Sequence, residues 1–158
     1  MAKKKKQEKR NYAPTISNRK ARYEFKFVDT FEAGIVLSGT EIKSIRLGKA
    51  NIAESYCYFR GDELFIKDMH INPYEFGSIN NLDPTRDRKL LLSRKELDKL
   101  RAKSEEKGLT IIVTKLYFNK RNICKLQIAL AQGKKLYDKR EDIKSRDIKR
   151  VIDRELRL

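Results

Sequence analysis

The sequence predicts a mainly β fold with helices: a small closed OB-like β-barrel of about six strands, followed by a basic C-terminal tail. Three observations lead there. Apolar and polar residues alternate in several short runs, the period-two signature of half-buried strands. Turn signals separate those runs at a spacing of about ten residues. So few strands leave exposed edges unless the sheet closes on itself. A chain of 158 residues is expected to hold one domain with appendages.

Residues 1–17 are polar and basic, contain Pro14 and lack periodicity, and read as a flexible basic arm ahead of a body spanning 18–132. Tyr23, Phe25 and Phe27 alternate with Glu24 and Lys26, predicting a first strand that breaks near Asp29-Thr30. Ala33 to Leu37 forms a second apolar run that ends at Ser38-Gly39. Thr40 is placed to cap a short helix from Glu41 to Leu47, which Gly48 stops. Tyr56 to Phe59 and Leu64 to Ile66 flank Arg60-Gly61-Asp62-Glu63, a hairpin signal. Asn72 to Asp87 resists assignment and reads as a long loop punctuated by Pro73 and Pro84.

The clearest local signature follows Leu90-Leu91-Leu92. Ser93-Arg94-Lys95-Glu96 is a capping box, Leu92 and Leu97 hold the staple positions around it, and Gly108 ends the helix. Leu109 to Phe118 and Ile123 to Ala131 are two long strands joined at Asn119-Lys120-Arg121-Asn122, with Cys124, Leu126, Ile128 and Leu130 on one face. The tail, 133–158, carries Ile148, Val151, Ile152 and Leu156 at helical spacing. Acids from Asp138 to Asp142 suit a helix N-terminus. Isolated helices of this length are marginal in water, so the tail is expected to be disordered when free and helical when bound. The alternative is a stripe that packs back on the barrel.

Charge points to a polyanion. The formal net charge is +16, of which residues 1–22 carry +8 and the tail +4. A membrane is the rival anionic surface, but the tail holds six acidic residues and no Trp, and no apolar run approaches the roughly 20 residues of a spanning helix. Met1 to Lys6 has charge without an apolar stretch, unlike a secretory signal, and two cysteines make no disulfide framework. A reduced, cytoplasmic setting is expected. Catalytic and metal chemistry lack support: His70 is the one histidine, Cys57 and Cys124 match no zinc spacing, and no phosphate-binding or dinucleotide-binding glycine loop is present. We therefore expect no cofactor and no enzyme.

The positive signal is cations mixed with aromatics. Arg19, Lys20 and Arg22 precede Tyr23 and Phe25, and Lys134 and Lys135 precede Tyr137. Such a mixture suits RNA: the cations neutralise phosphates, and each ring stacked on an unpaired base contributes roughly 1–3 kcal/mol. Phe25 and Phe27 fit a barrel interior better than a stacking platform.

Seven blocks in order resemble a known family. They are Asn18-Arg19-Lys20-Ala21-Arg22-Tyr23-Glu24-Phe25; Phe31-Glu32-Ala33-Gly34-Ile35; Gly39-Thr40-Glu41-Ile42-Lys43-Ser44-Ile45-Arg46; Gly48-Lys49-Ala50-Asn51-Ile52; Asp83-Pro84-Thr85-Arg86; Arg88-Lys89-Leu90-Leu91-Leu92; and Gly133-Lys134-Lys135 with Asp138-Lys139-Arg140. Together they resemble the SmpB family of SsrA-binding proteins, the partners of transfer-messenger RNA. The resemblance implies an OB-like barrel with a non-enzymatic role in trans-translation. The barrel would bind the tRNA-like domain of that RNA. The tail would occupy the decoding site and mRNA channel in the vacant A site of a stalled ribosome. Elongation factor Tu with GTP and the alanylated RNA would be indirect partners, and the protein would act as a monomer.

Carried onto this chain, the resemblance implies RNA contacts by Glu32 and by Tyr56, with neighbouring Tyr58 the other candidate. Gly133, Tyr137, Asp138, Lys139 and Arg140 fall to tail function on the ribosome. Tyr23 stands where relatives often have histidine and Tyr137 where some do; tyrosine there keeps stacking and gives up the option of a positive charge. The competing expectation is a generic basic OB-like RNA-binding or ribosome-associated protein with no tail mechanism.

Overall fold

The structure, a computed structural model, describes residues 13–157; residues 1–12, most of the arm assigned from the sequence, lie outside them. In chain order the elements are β1 (Ile16–Ser17), α1 (Arg19–Glu24), β2 (Phe25–Ile35), α2 (Gly39–Arg46), β3 (Ala50–Asn51), β4 (Tyr56–Arg60), β5 (Glu63–Lys67) and β6 (His70–Ile71). After a short 3₁₀ turn (Ser78–Asn80) come β7 (Arg88–Leu91), α3 (Arg94–Lys107), β8 (Thr110–Phe118), β9 (Cys124–Gly133) and α4 (Leu136–Glu155).

Six strands close into a ring. The order β8, β4, β5, β7, β2, β9 is antiparallel throughout, and β9 pairs back onto β8. This is the closed sheet that the short alternating runs predict. β1 pairs with Lys115 and Leu116 of β8, so the last residues of the expected arm are sheet. β3 and β6 make a separate two-stranded ribbon. Inside the ring lie Leu64, Ile66, Leu90, Val113, Leu116, Leu126, Ile128 and Leu130; α2 adds Ile45 and α3 adds Leu100.

Local chemistry explains most boundaries. The Ser93–Glu96 capping box forms in full, and Gly108 closes α3 in the left-handed region at φ 59°. The β4–β5 hairpin turns at Gly61 with φ 60°, and the β8–β9 hairpin at Asn122 with φ 62°.

Three expectations need correction. The cap of α2 is Ser38, not Thr40; its hydroxyl and the Glu41 carboxylate satisfy each other's backbone amides. Tyr23 belongs to α1 rather than to a strand. That six-residue helix is too short to stand on propensity, and it is held by buried Asn18, whose side chain caps the Ala21 amide and donates to the Val113 carbonyl at 3.0 Å. Finally, β2 does not break at Asp29-Thr30 but runs through a β-bulge between Phe27 and Asp29.

The bulge changes which residues face in. It also corrects a fourth expectation: Phe25 and Phe27, assigned to the barrel interior, instead pack with Ala21, Ile112, Ala129 and Ala131 beneath α1, on the outer side of the ring, whereas Phe31 and Ala33 belong to the inner core. Odd positions thus point out before the bulge and in after it. A second bulge between Val113 and Lys115 does the same to β8: Val113 and then Leu116 face in, leaving Lys115 and Tyr117 outside.

Candidate nucleic-acid interface

α1 divides the outer face of β2, β9 and β8. Ala21 covers one half by resting on Ile112, Ala129 and Ala131. The other half is open, and the two bulges decide its composition. Thr30 and Glu32 come from β2, Lys125 and Gln127 from β9, and Lys115 and Tyr117 from β8. Gln127 is in register with Glu32 on one side and Lys115 on the other, and Lys125 with Gly34 and Tyr117. A cleft of about 310 Å³ where α1 borders this surface is lined by Arg19, Arg22, Phe27, Thr30, Lys115 and Gln127, among others. A second, of about 330 Å³, shares Lys115 and Gln127 with it and extends to Thr15, Tyr117 and Phe118.

Three of the residues expected from the sequence meet here: Arg19, Arg22 and Glu32. The Glu32 carboxylate is exposed and accepts a hydrogen bond from the Tyr117 hydroxyl. Partial burial, together with that bond, pushes the Tyr117 phenol up to about 12, so it remains a donor at neutral pH. Sequence reasoning picked out the inward set of the two long strands and passed over its complement. Lys115, Tyr117, Lys125 and Gln127 were legible there as the polar alternates of the apolar run.

Lys20 and Tyr56 fall on the other flank of α1. The Lys20 ammonium sits 2.9 Å from Glu54 and 3.7 Å from Glu24. Tyr56 lines a separate cleft of about 210 Å³ with Glu24, Phe25 and Glu54. Tyr58, the other aromatic weighed for that role, donates to Asp87 at 2.6 Å and lies beneath Arg60, so its hydroxyl is already engaged.

The tail residues divide into a joint and a projection. Gly133 ends β9 in register with Phe25, and a Cβ there would meet nothing. The Lys134 amide donates to Glu24 O at 2.8 Å, while its ammonium donates to Arg22 O and pairs with Asp142. Lys134 therefore clasps α4 to α1, and Lys135 is the exposed member of the pair. Lys139 stands 5.7 Å from the ring centroid of Tyr23. Tyr137, Asp138 and Arg140 are exposed, and a hydrogen bond with Glu141 raises the Tyr137 phenol. Beyond this joint no residue of α4 is buried. Ile148, Val151, Ile152 and Leu156 are 60, 53, 49 and 80% exposed, so their stripe does not pack back on the ring.

A buried ionic cluster braces the long loop, one that no spacing in the sequence foretells. Arg88, fully buried, donates to Glu41 at 2.7 Å and to the carbonyls of Met69 and Pro84, while Arg86 grips the same carboxylate at 2.7 Å. Burial pushes the Glu41 carboxyl up, but the hydrogen bonds from Arg86, the Ser38 amide and Arg88 together outweigh it and hold the group below its ordinary range.

Among the described residues, no group of three or more His, Cys, Asp or Glu side chains is placed to hold a metal ion. His70 is exposed on β6. Cys57 and Cys124 are free and buried, and desolvation lifts both thiols, Cys124 to about 12. No described helix is long and apolar enough to cross a membrane.

Comparison with known proteins places this surface in context. The model of the SmpB protein family matches residues 15–158. The SsrA-binding protein of Chlorobaculum tepidum is 52% identical over 148 residues, 94% of each chain. That of Cytophaga hutchinsonii is 56% identical over 139 residues, 88% of this chain and 91% of its own. A solved chain described under "tmRNA-SmpB: a journey to the center of the bacterial ribosome" superposes with a TM-score of 0.66 at 48% identity. It covers 78% of this chain and 87% of its own.

Proposed function

Since the chain belongs to the SmpB family, we propose that it is an RNA-binding adaptor of trans-translation. It binds the tRNA-like domain of transfer-messenger RNA and brings that RNA into the vacant A site of stalled ribosomes, work done in the cytoplasm. The nascent chain is then tagged and the ribosome released. The protein contributes binding and shape rather than bond-making, and elongation factor Tu with GTP reaches it through the alanylated RNA.

The observation that carries this reading is the half-covered outer face. Arg19, Arg22 and Lys115 border two joined clefts beside an exposed carboxylate. The cations neutralise phosphates, while Glu32, Thr30 and Gln127 supply acceptors and donors for base edges or 2′-hydroxyls. Tyr56 and Lys20 extend the surface past α1, and Tyr23 adds a ring on α1 against Lys139. α4 is assigned to the ribosome: Tyr137, Asp138, Lys139 and Arg140 form its first turns, beside the RNA-binding cations Lys134 and Lys135, and the projecting helix fills the empty decoding site and mRNA channel.

Truncation after Gly133 tests the division of labour. The shortened protein keeps near-normal affinity for the tRNA-like domain and loses tagging of a nascent chain on a stalled ribosome. A proportional collapse of RNA binding would mean that the tail is one more phosphate-binding patch, as in a generic basic RNA-binding module.

A further inference from the structure

The Glu32 carboxylate is oriented from two strands away. Glu32 is on β2 and Tyr117 on β8, with β9 between them, and the phenol reaches over β9 to donate to Oε2. A carboxylate on an exposed strand can rotate about its last torsion, and hydrogen bonding to one oxygen removes that freedom. Tyr117 is itself held: its ring is half-buried, Leu116 beside it is fully buried, and the bulge at Thr114 turns the ring outward.

We propose that Tyr117 is a positioning residue for RNA recognition: by donating to Oε2 of Glu32 it fixes the carboxylate so that Oε1 accepts an N–H or O–H donor of the bound RNA. This rests on the functional reading above. The chemistry is that of a preorganised acceptor. Binding then immobilises no further torsion, and Glu32 is in register with Gln127, which lines both clefts. Lys115, across Gln127 from Glu32 in the same register row, neutralises phosphate without competing for the base or sugar, since an ammonium offers donors only. The raised phenol fits the same geometry, because a hydroxyl that donates to a carboxylate resists ionisation.

The test is a double-mutant cycle on the full chain, with the tRNA-like domain of transfer-messenger RNA as probe. Tyr117→Phe keeps the ring and removes the donor. We expect it to weaken binding about tenfold, the scale of one hydrogen bond to a charged group. Glu32→Gln is expected to cost at least as much, and the double variant to bind no more weakly than Glu32→Gln alone. Melting temperatures should stay close to wild type. Wild-type affinity in Tyr117→Phe would overturn the proposal, and so would losses that multiply in the double variant.

A second readout needs no RNA. The ultraviolet titration step that Tyr117→Phe removes should shift to lower pH in Glu32→Gln; an unmoved step means that the two groups are not joined and ends the proposal. If the wild type binds the tRNA-like domain no better than an unrelated RNA, the functional reading fails, whatever the titration shows.

Discussion

Single side chains in this protein do their work in pairs and triads. Glu41 shows the energetic side. It is 6% exposed, faces two guanidiniums, and ties the loop before β7 to α2. Its carboxyl lies below its ordinary value of 4.5, so the folded state holds fewer protons than the unfolded state around that pH. Its contribution to stability is therefore present above pH 4.5 and is lost as pH falls through the lower, folded-state value. Glu41→Gln should destabilise the protein by about 3–5 kcal/mol at neutral pH, because Arg88 is left buried without its counter-charge. It should also flatten the acid limb of a urea-unfolding series run against pH. An acid limb as steep as in the wild type would show that Glu41 is not the group responsible. Nothing in the sequence foretold this cluster, because 45 residues separate Glu41 from Arg86. Glu32 was legible from a motif, whereas its partner Tyr117 was not: they are 85 residues apart and meet only when β9 lies between β2 and β8.

Elements were read best where their signals are local. The capping box and left-handed glycine of α3, and the hairpin around Gly61, stand where the sequence put them, because each is settled by a few adjacent residues. α1 was misread for the opposite reason. Its last two residues, Tyr23 and Glu24, continue the alternation of Phe25, Lys26 and Phe27 in β2, and the decisive contact is Asn18 with β8, 95 residues on. α4 is the least supported element: 20 residues, no side-chain cap and no buried residue. Its attachments are the Lys134 clasp and the contact between Lys139 and Tyr23. A peptide of residues 133–158 cut from those attachments should show little helix by circular dichroism in buffer, since packing supplies most helical stability. A stable helix in that peptide would mean that the tail reaches the ribosome already folded.

At the scale of the molecule, the closed ring was expected because its strands could not otherwise satisfy their edges. Which half of its outer face would stay bare was beyond periodicity. Phe25, Phe27, Phe31 and Ala33 are all odd-numbered, a series interrupted by Asp29, yet the bulge divides them between two faces. The net charge of +16 gave the partner's sign without its address. If the bare half takes the RNA, binding should weaken with salt. Arg19→Gln and Arg22→Gln should each reduce the slope of log affinity against log salt by about 1, while leaving melting temperature unchanged. Slopes equal to wild type would place the phosphates elsewhere. The tail obeys different arithmetic. A straight helix of 20 residues spans about 30 Å, counted from the clasp at Lys134. It behaves as a ruler whose length and phase can be set separately. Seven inserted residues would lengthen it by about 10 Å with the stripe still facing nearly the same way, whereas two would rotate the stripe by about 200° for about 3 Å of extra reach.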